Sequence, residues 1–289
     1  MHVATLIAAE RLDPAFVDAL RNAWGGGDAV WLDPARAAEF KLEVAPANLW
    51  EVWAEAQKVG IDLALQPAEG RRKDVLVADM DSTMIGQECI DELADLAGVG
   101  AFVKEITARA MNGELDFEGA LRERVGLLEG LEADVVERVW TERITFTSGG
   151  RELIATMRAN GSYCALVSGG FTQFTQRVAG ALGFDEHLAN SLIESEGRLI
   201  GRVAEPILGR EAKVAALRRI CDERGIGLDR AMAVGDGAND LGMLKLAGAG
   251  VALHAKPVVA AEVDLRINHG DLTALLFLQG YARDEFVTA

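Results

Sequence analysis

Three short apolar runs, each breaking off into a polar or glycine-rich loop, constrain this chain more than any other feature. They are "VLVADMD" from residue 75, "YCALVSGG" from residue 163 and "AMAVGDGAND" from residue 231. Val, Ala and Leu dominate them, without polar alternation. Helix-patterned stretches such as "FTQFTQRVAGALG" and "GREAKVAALRRICDERG" lie between them. Continuous apolar strands separated by amphipathic helices predict a parallel sheet covered on both faces, an α/β architecture. Such sheets bind ligands beyond the carboxyl ends of their strands. The loops at 79–83, 168–170 and 235–240 are therefore expected to converge at one edge.

The first strand is followed by an almost wholly helical stretch, from about 86 to 146. A βαβ crossover needs only a dozen or more residues, so a block of roughly sixty predicts an inserted helical subdomain. Further on, a helix is expected near 149–160. A hairpin is expected in "LANSLIESEGRLIGRVAE", turning near Glu196 and Gly197.

Residues 1–70 read differently. "HVATLIAA" is a strand, and "DPAFVDALRNAW" a helix with Asp13 at its cap and Pro14 at its first position. "GGGDAVWL" turns into a second strand, "FKLEVA" is a third, "NLWEVWAEAQKVG" a helix and "IDLALQ" a last strand. This βαββαβ pattern is a small α+β unit of ferredoxin-like order. "PAEGRRKD" at 67–74 reads as a solvated linker. The division expected is 1–70 and 71–289.

Composition bears on the partners. With 45 acidic and 29 basic residues the net charge is −16, which repels nucleic acid and anionic membranes. An anionic substrate would need local positive charge. No apolar run reaches about 18 residues, so no spanning helix is expected. The opening "MHVATLIAAERLDP" has too short an apolar run and too early a Glu10 for a signal peptide. Cys89, Cys164 and Cys221 form no CxxC pair, which argues against a zinc site or disulfide framework and for a reducing cytoplasm.

The expected sheet edge gathers Asp79, Asp81, Asp236 and Asp240, with Lys213 on the helix before the third strand. Two like charges 4 Å apart repel by roughly 4 kcal/mol at an effective dielectric of 20, so four carboxylates call for a cation. Oxygen ligands select Mg²⁺ over softer metals. Lys213, Ser168 and the backbone N–H groups at Gly169 and around 80–83 supply donors for a phosphate. That assembly suits phosphoryl transfer, where stabilising spread negative charge dominates. Residues i and i+2 of an extended chain share a side. One carboxylate of the Asp79/Asp81 pair can thus attack phosphorus while the other moves the proton.

"DMDST", "SGG", Lys213 and "GDGAND", in this order and spacing across 75–270, resemble the haloacid-dehalogenase-like phosphatases. Taken singly, each is a common turn or a solvated lysine; the set carries the resemblance. Glu88 in "IGQECIDELA" and the block "AMNGELDFEGALRERVGLL" at 110–128 are similar to the members that hydrolyse O-phospho-L-serine as the last step of serine biosynthesis. The resemblance implies a HAD-like Rossmannoid sheet with the 86–146 insert as a helical cap, and likens residues 1–70 to an ACT (amino-acid-binding) domain. It implies Asp79 as nucleophile and Asp81 as general acid/base. Mg²⁺ would be held by Asp79, the Asp81 carbonyl and Asp236, with Asp240 buttressing the shell. Ser168, Gly169 and Lys213 would bind phosphate, and Asn239 would orient it. Glu88 would face the substrate ammonium, and Phe117 and Arg124 would act from the cap, Arg124 on the carboxylate, although Arg122 is also available. A homodimer is allowed. The rival expectations are a phosphatase or phosphotransferase for another small phosphomonoester, and an amino-acid-sensing regulatory protein.

Overall fold

The computed structural model describes residues 1–111 and 115–288. Residues 112–114 of the 110–128 block lie outside the described residues.

The chain opens with β1 (His2–Ala8), α1 (Pro14–Ala23), β2 (Val30–Asp33), β3 (Ala37–Leu42), α2 (Leu49–Lys58) and β4 (Ile61–Pro67). Asp13 caps α1 by accepting the Ala15 N–H, and Pro14 occupies the first turn, where a missing donor costs nothing. The strands form a four-stranded antiparallel sheet in the order β2-β3-β1-β4. Adjacent side chains on a strand face opposite ways, and here both faces are apolar. Leu6, Phe40 and Leu63 pack in a cluster with Val17 and Leu20 of α1 and Ala56 of α2. Ile7, Ala37 and Ala64 belong instead to the core of the larger part of the chain.

That larger part begins with β5 (Val75–Ala78) and continues through the helices α3 (Cys89–Leu96), α4 (Gly100–Met111), α5 (Phe117–Gly126) and α6 (Val135–Glu142) to α7 (Gly150–Ala159). Then come β6 (Tyr163–Phe171), α8 (Thr172–Leu182), β7 (Glu186–Asn190), β8 (Leu192–Ser195), β9 (Arg198–Val203) and α9 (Arg210–Arg224). It closes with β10 (Ala231–Gly235), α10 (Leu241–Leu246), β11 (Ala249–Leu253), α11 (Pro257–Ala260), β12 (Leu265–Ile267) and α12 (Ala274–Leu278). Six strands form one parallel sheet in the order β12-β11-β10-β5-β6-β7. β5 is buried on both sides: Val75 and Val77 face Leu217, Ile220 and Met243, whereas Leu76 and Ala78 face the cluster that includes Leu153, Phe174 and Leu276. This is the doubly covered α/β sheet expected from the sequence.

The helical insert closes on itself at its base, where Ile85 and Phe146 form an antiparallel bridge and the Gly86 N–H donates to the Thr145 carbonyl at 3.0 Å. Two expectations change. Residues 188–190, expected in the hairpin, complete β7 at the edge of the large sheet; the hairpin proper is β8-β9, turning at Glu196 and Gly197 with φ of 51° and 75°. Nor is the 67–74 stretch a solvated linker. The Arg71 guanidinium donates to both Glu39 oxygens, at 3.1 and 2.6 Å, and to the carbonyls of Leu278 and Phe277 at 3.0 and 3.2 Å. The last carbonyls of a helix have no intrahelical donor, and Arg71 satisfies two of them at the end of α12.

Candidate active site

The ends of β5, β6 and β10 do meet. Asp79 follows β5 by one residue, its N–H held by the Val234 carbonyl of β10 at 3.0 Å. One oxygen each of Asp79, Asp236 and Asp240 lie within 4.8 Å of one another, all three residues buried. Behind them Lys213, on the first turns of α9, places its ammonium 2.6 Å from Asp79 Oδ1 and 2.6 Å from Asp240 Oδ1. Burial alone pushes the Lys213 pKa down; the two carboxylates more than reverse it, so the ammonium stays charged. The second Asp240 oxygen accepts the Gly237 N–H at 3.0 Å. Asp240 thus spends both oxygens on the protein, which suits a buttress better than a ligand.

Asp81 stands two residues beyond Asp79, with the Cys89 N–H reaching it over 3.4 Å. Burial, then the neighbouring Glu88, push its carboxyl up to about 7. Gly170 lets the β6 loop approach this carboxylate closely: a Cβ there would lie 2.7 Å from Asp81 Oδ2, so a side chain would displace it. The Ser168 hydroxyl accepts the Gly170 N–H at 2.9 Å, shaping the turn beside it.

A cavity of about 750 Å³ opens above these groups. Its floor is Asp79, Asp81, Ser168, Gly169, Asp236 and Asn239; its wall, from the insert, includes Glu88, Phe117, Leu121 and Arg124. Lys213 and Asp240 lie beneath the floor, almost wholly withdrawn from water. Phe117 closes the space between insert and sheet: a Cβ on Gly169 would lie 3.2 Å from its ring, and one on Gly209 3.0 Å. The two arginines separate cleanly. Arg124 lines the cavity, whereas Arg122 is exposed and paired with Glu118 and Glu205 at 3.1 and 2.9 Å. Glu88 accepts a 2.8 Å bond from Ser82, whose φ of 54° is left-handed.

Three neighbours escaped the sequence reading. Lys256 lines the cavity with its ammonium 3.6 Å from Asp236 Oδ2. Asn190 ties Gly169 to the segment before α9, donating to the carbonyls of Gly169 and Leu208 at 2.9 and 3.1 Å and accepting the Leu208 N–H at 2.7 Å. Thr107 also lines the cavity, and its buried hydroxyl has no hydrogen-bond partner among the described residues. Only Lys256, in the run "HAKP" after an apolar strand, left a signal that resembles the other strand-end loops.

The donor set fits a hard cation. Burial comes first among the causes that raise the carboxyls of Asp79 and Asp236. A divalent ion among their oxygens would return them to the ionised form.

The sequence matches the haloacid dehalogenase-like hydrolase family over residues 76–245. A phosphoserine phosphatase of Streptomyces coelicolor is 42% identical over 261 residues, covering 89% of this chain and 63% of that protein, so the chain spans less than two thirds of that relative's length. Among solved structures, a HAD-family hydrolase from Salmonella enterica serovar Typhi superposes with a TM-score of 0.87 at 28% identity, over 98% of this chain and 99% of the other. A phosphoserine phosphatase captured as an analogue of its phospho-aspartyl intermediate superposes with a TM-score of 0.67 at 42% identity, over 71% of this chain and 98% of the other. The chain belongs to the haloacid dehalogenase-like hydrolase family, and the two relatives at 42% identity are phosphoserine phosphatases. A divalent-metal requirement goes with that family and with the acidic cluster. Among the described residues no helix is long and apolar enough to cross a membrane.

Proposed function

We propose that this chain hydrolyses O-phospho-L-serine to L-serine and phosphate, with Mg²⁺ as the cation. The observation that carries the proposal is one cavity with two chemically distinct ends. Carboxylates, Ser168 and the Gly169 loop form the floor, and Glu88 and Arg124 the wall. The floor suits a phosphoryl group. The wall suits an amino acid: a glutamate opposite an ammonium, and a guanidinium fork that grips a carboxylate.

Asp79, Asp236 and the Asp81 carbonyl would hold Mg²⁺, which supplies charge stabilisation at the phosphoryl oxygens. Asp79 attacks phosphorus, forming an aspartyl-phosphate as the bond to the serine oxygen breaks. Asp81 gives its proton to that departing oxygen. It then takes a proton from water, which attacks the same phosphorus and frees Asp79. Lys213 and Ser168 hold the phosphoryl oxygens, and Asn239 orients the group. Phe117 keeps water out until serine has left.

We read residues 1–70 as a small ACT-like domain and 71–289 as the phosphatase domain with its cap. Three buried, unpaired thiols support a cytoplasmic setting.

Phosphate release from phosphoserine, phosphothreonine and sugar phosphates, with and without Mg²⁺, tests the reading. The expected result is a metal-dependent preference for phosphoserine that disappears in Asp79→Asn. A preference for a sugar phosphate, or transfer to an added alcohol in place of water, would replace the substrate assignment.

A further inference from the structure

We propose that Asp62, in the small sheet, is a positioning residue for the metal carboxylate Asp236, acting through the 268–270 loop and His254. The proposal rests on the metal-site reading above.

Asp62 lies on β4, on the same side as Ala64, which faces the larger part of the chain. It is 1% exposed, and among the described residues no Lys or Arg forms an ion pair with it. Its charge is met by backbone: Oδ1 accepts the Asn268 N–H at 2.9 Å, and Oδ2 accepts the N–H groups of His269 and Gly270 at 3.1 and 2.8 Å. A carboxylate held by a concave run of N–H groups is a strong, directional contact. It fixes a loop more than 200 residues away in sequence. The approach is close, since a Cβ on Gly270 would lie 3.3 Å from Asp62 Oδ2. Asn268 adds a second tie, donating to Gln57 at 2.8 Å.

The loop passes this constraint on. The Gly270 carbonyl is 2.8 Å from His254 Nε2, so that ring nitrogen must carry the proton. The His254 N–H donates to the Ile267 carbonyl at 2.7 Å. Between these two bonds His254 adopts φ 44°, a left-handed conformation that a non-glycine residue holds only when its surroundings fix it. Two residues later the Lys256 N–H donates to the Asp236 carbonyl at 3.1 Å, and its ammonium lies 3.6 Å from the Asp236 carboxylate. The relay starts on buried Asp62, crosses the exposed His254 through two short hydrogen bonds, and ends on a proposed metal ligand. Partners behind a metal ligand set its orientation and thereby its affinity.

The test uses the full-length protein. In Asp62→Asn one face of the new amide must present N–H₂ to a backbone N–H, so the loop loses an acceptor while side-chain volume is kept. Calorimetric titration with Mg²⁺ alone should show affinity weakened about two- to thirtyfold, the range for coupling through a contact network. The Mg²⁺ concentration for half-maximal phosphate release should rise in step, with kcat at saturating Mg²⁺ changed by less than about twofold. Arg71→Ala cuts a different tie between the two sheets, and should lower the melting temperature without moving Mg²⁺ affinity. His254→Asn tolerates the left-handed backbone but is too short for the Gly270 carbonyl, and should reproduce the Mg²⁺ shift even if Asp62→Asn folds poorly. Unchanged Mg²⁺ affinity in folded Asp62→Asn or His254→Asn would overturn the proposal. Because the titration needs no substrate, it decides the matter even if phosphoserine proves to be the wrong ester.

Discussion

The Lys213 ammonium sits 2.6 Å from Asp79 Oδ1, and both side chains are almost wholly removed from water. Such a pair is costly to form and costlier to break, because removing one partner strands a buried charge. Lys213 also bridges to Asp240, so Lys213→Met would leave two carboxylates facing each other. The expected loss is about 3–5 kcal/mol of stability in the metal-free protein, measured by denaturant unfolding in EDTA. Adding Mg²⁺ should recover part of it, since the cation then serves the same charges. Equal stability of the variant and the parent in EDTA would mean that Asp79 and Asp240 do not share charge through Lys213.

Metal binding itself should be visible without substrate. A cation that binds only the folded chain stabilises it by about 2.7 kcal/mol at a hundredfold excess over Kd. For a chain of this size that corresponds to a rise of about 5 °C in Tm. Asp236→Asn should abolish most of the rise. Asp95→Asn, on α3 away from the cluster, should keep it. A Tm unaffected by Mg²⁺ in the parent protein would count against a cation at the Asp79–Asp236 oxygens.

The sequence made the strand-end chemistry legible because each element is local. Asp79 and Asp81 are two residues apart, and "GDGAND" brings Asp236, Asn239 and Asp240 in one turn. The contacts between the two sheets were not legible, and for one physical reason: their partners are distant in the chain. Asp62 in "IDLALQ" looks like the polar member of a half-exposed strand, yet its three N–H partners begin 206 residues later. Arg71 looks like part of a solvated charge run, yet Glu39 and the end of α12 await it. β7 was hidden because "EHLAN" is short, only partly buried and runs directly into the hairpin.

Arg71 offers a clean measurement of what joins the two sheets. Its ion pair with Glu39 is largely shielded from water on both sides. Arg71→Ala leaves the shielded Glu39 carboxylate without its guanidinium fork, while the Leu278 and Phe277 carbonyls keep the Gln66 amide and the Gly280 N–H; the expected destabilisation is about 3–5 kcal/mol. The kcat of the folded fraction should be unchanged, because Arg71 touches neither the cavity nor the 268–270 loop. Urea unfolding followed by Trp fluorescence reports it, as Trp50 and Trp53 lie under Arg266 at the same junction, with ring distances of 4.3 and 5.1 Å. A fall in kcat without loss of stability would place Arg71 in the catalytic network instead.

Arg124 and Arg122 provide the sharpest test of the cap. They are two residues apart on α5, and a helix turns such positions to different faces. Arg124 points into the cavity, where its Nε is steadied by the Ala120 carbonyl at 3.2 Å, and Arg122 points to Glu205 on the far side. If Arg124 grips the substrate carboxylate, Arg124→Ala should lose about 1.5–3 kcal/mol of binding to phosphoserine, the worth of a hydrogen bond to a charged group. That corresponds to roughly a ten- to 150-fold fall in kcat/KM. Phosphoethanolamine has the phosphate and the ammonium but no carboxylate, so the same variant should hydrolyse it as fast as the parent enzyme does. Arg122→Ala should leave both substrates within about twofold, since exposed ion pairs contribute little. Equal losses on the two substrates in Arg124→Ala would show that this arginine holds the cap in shape rather than reading the carboxylate.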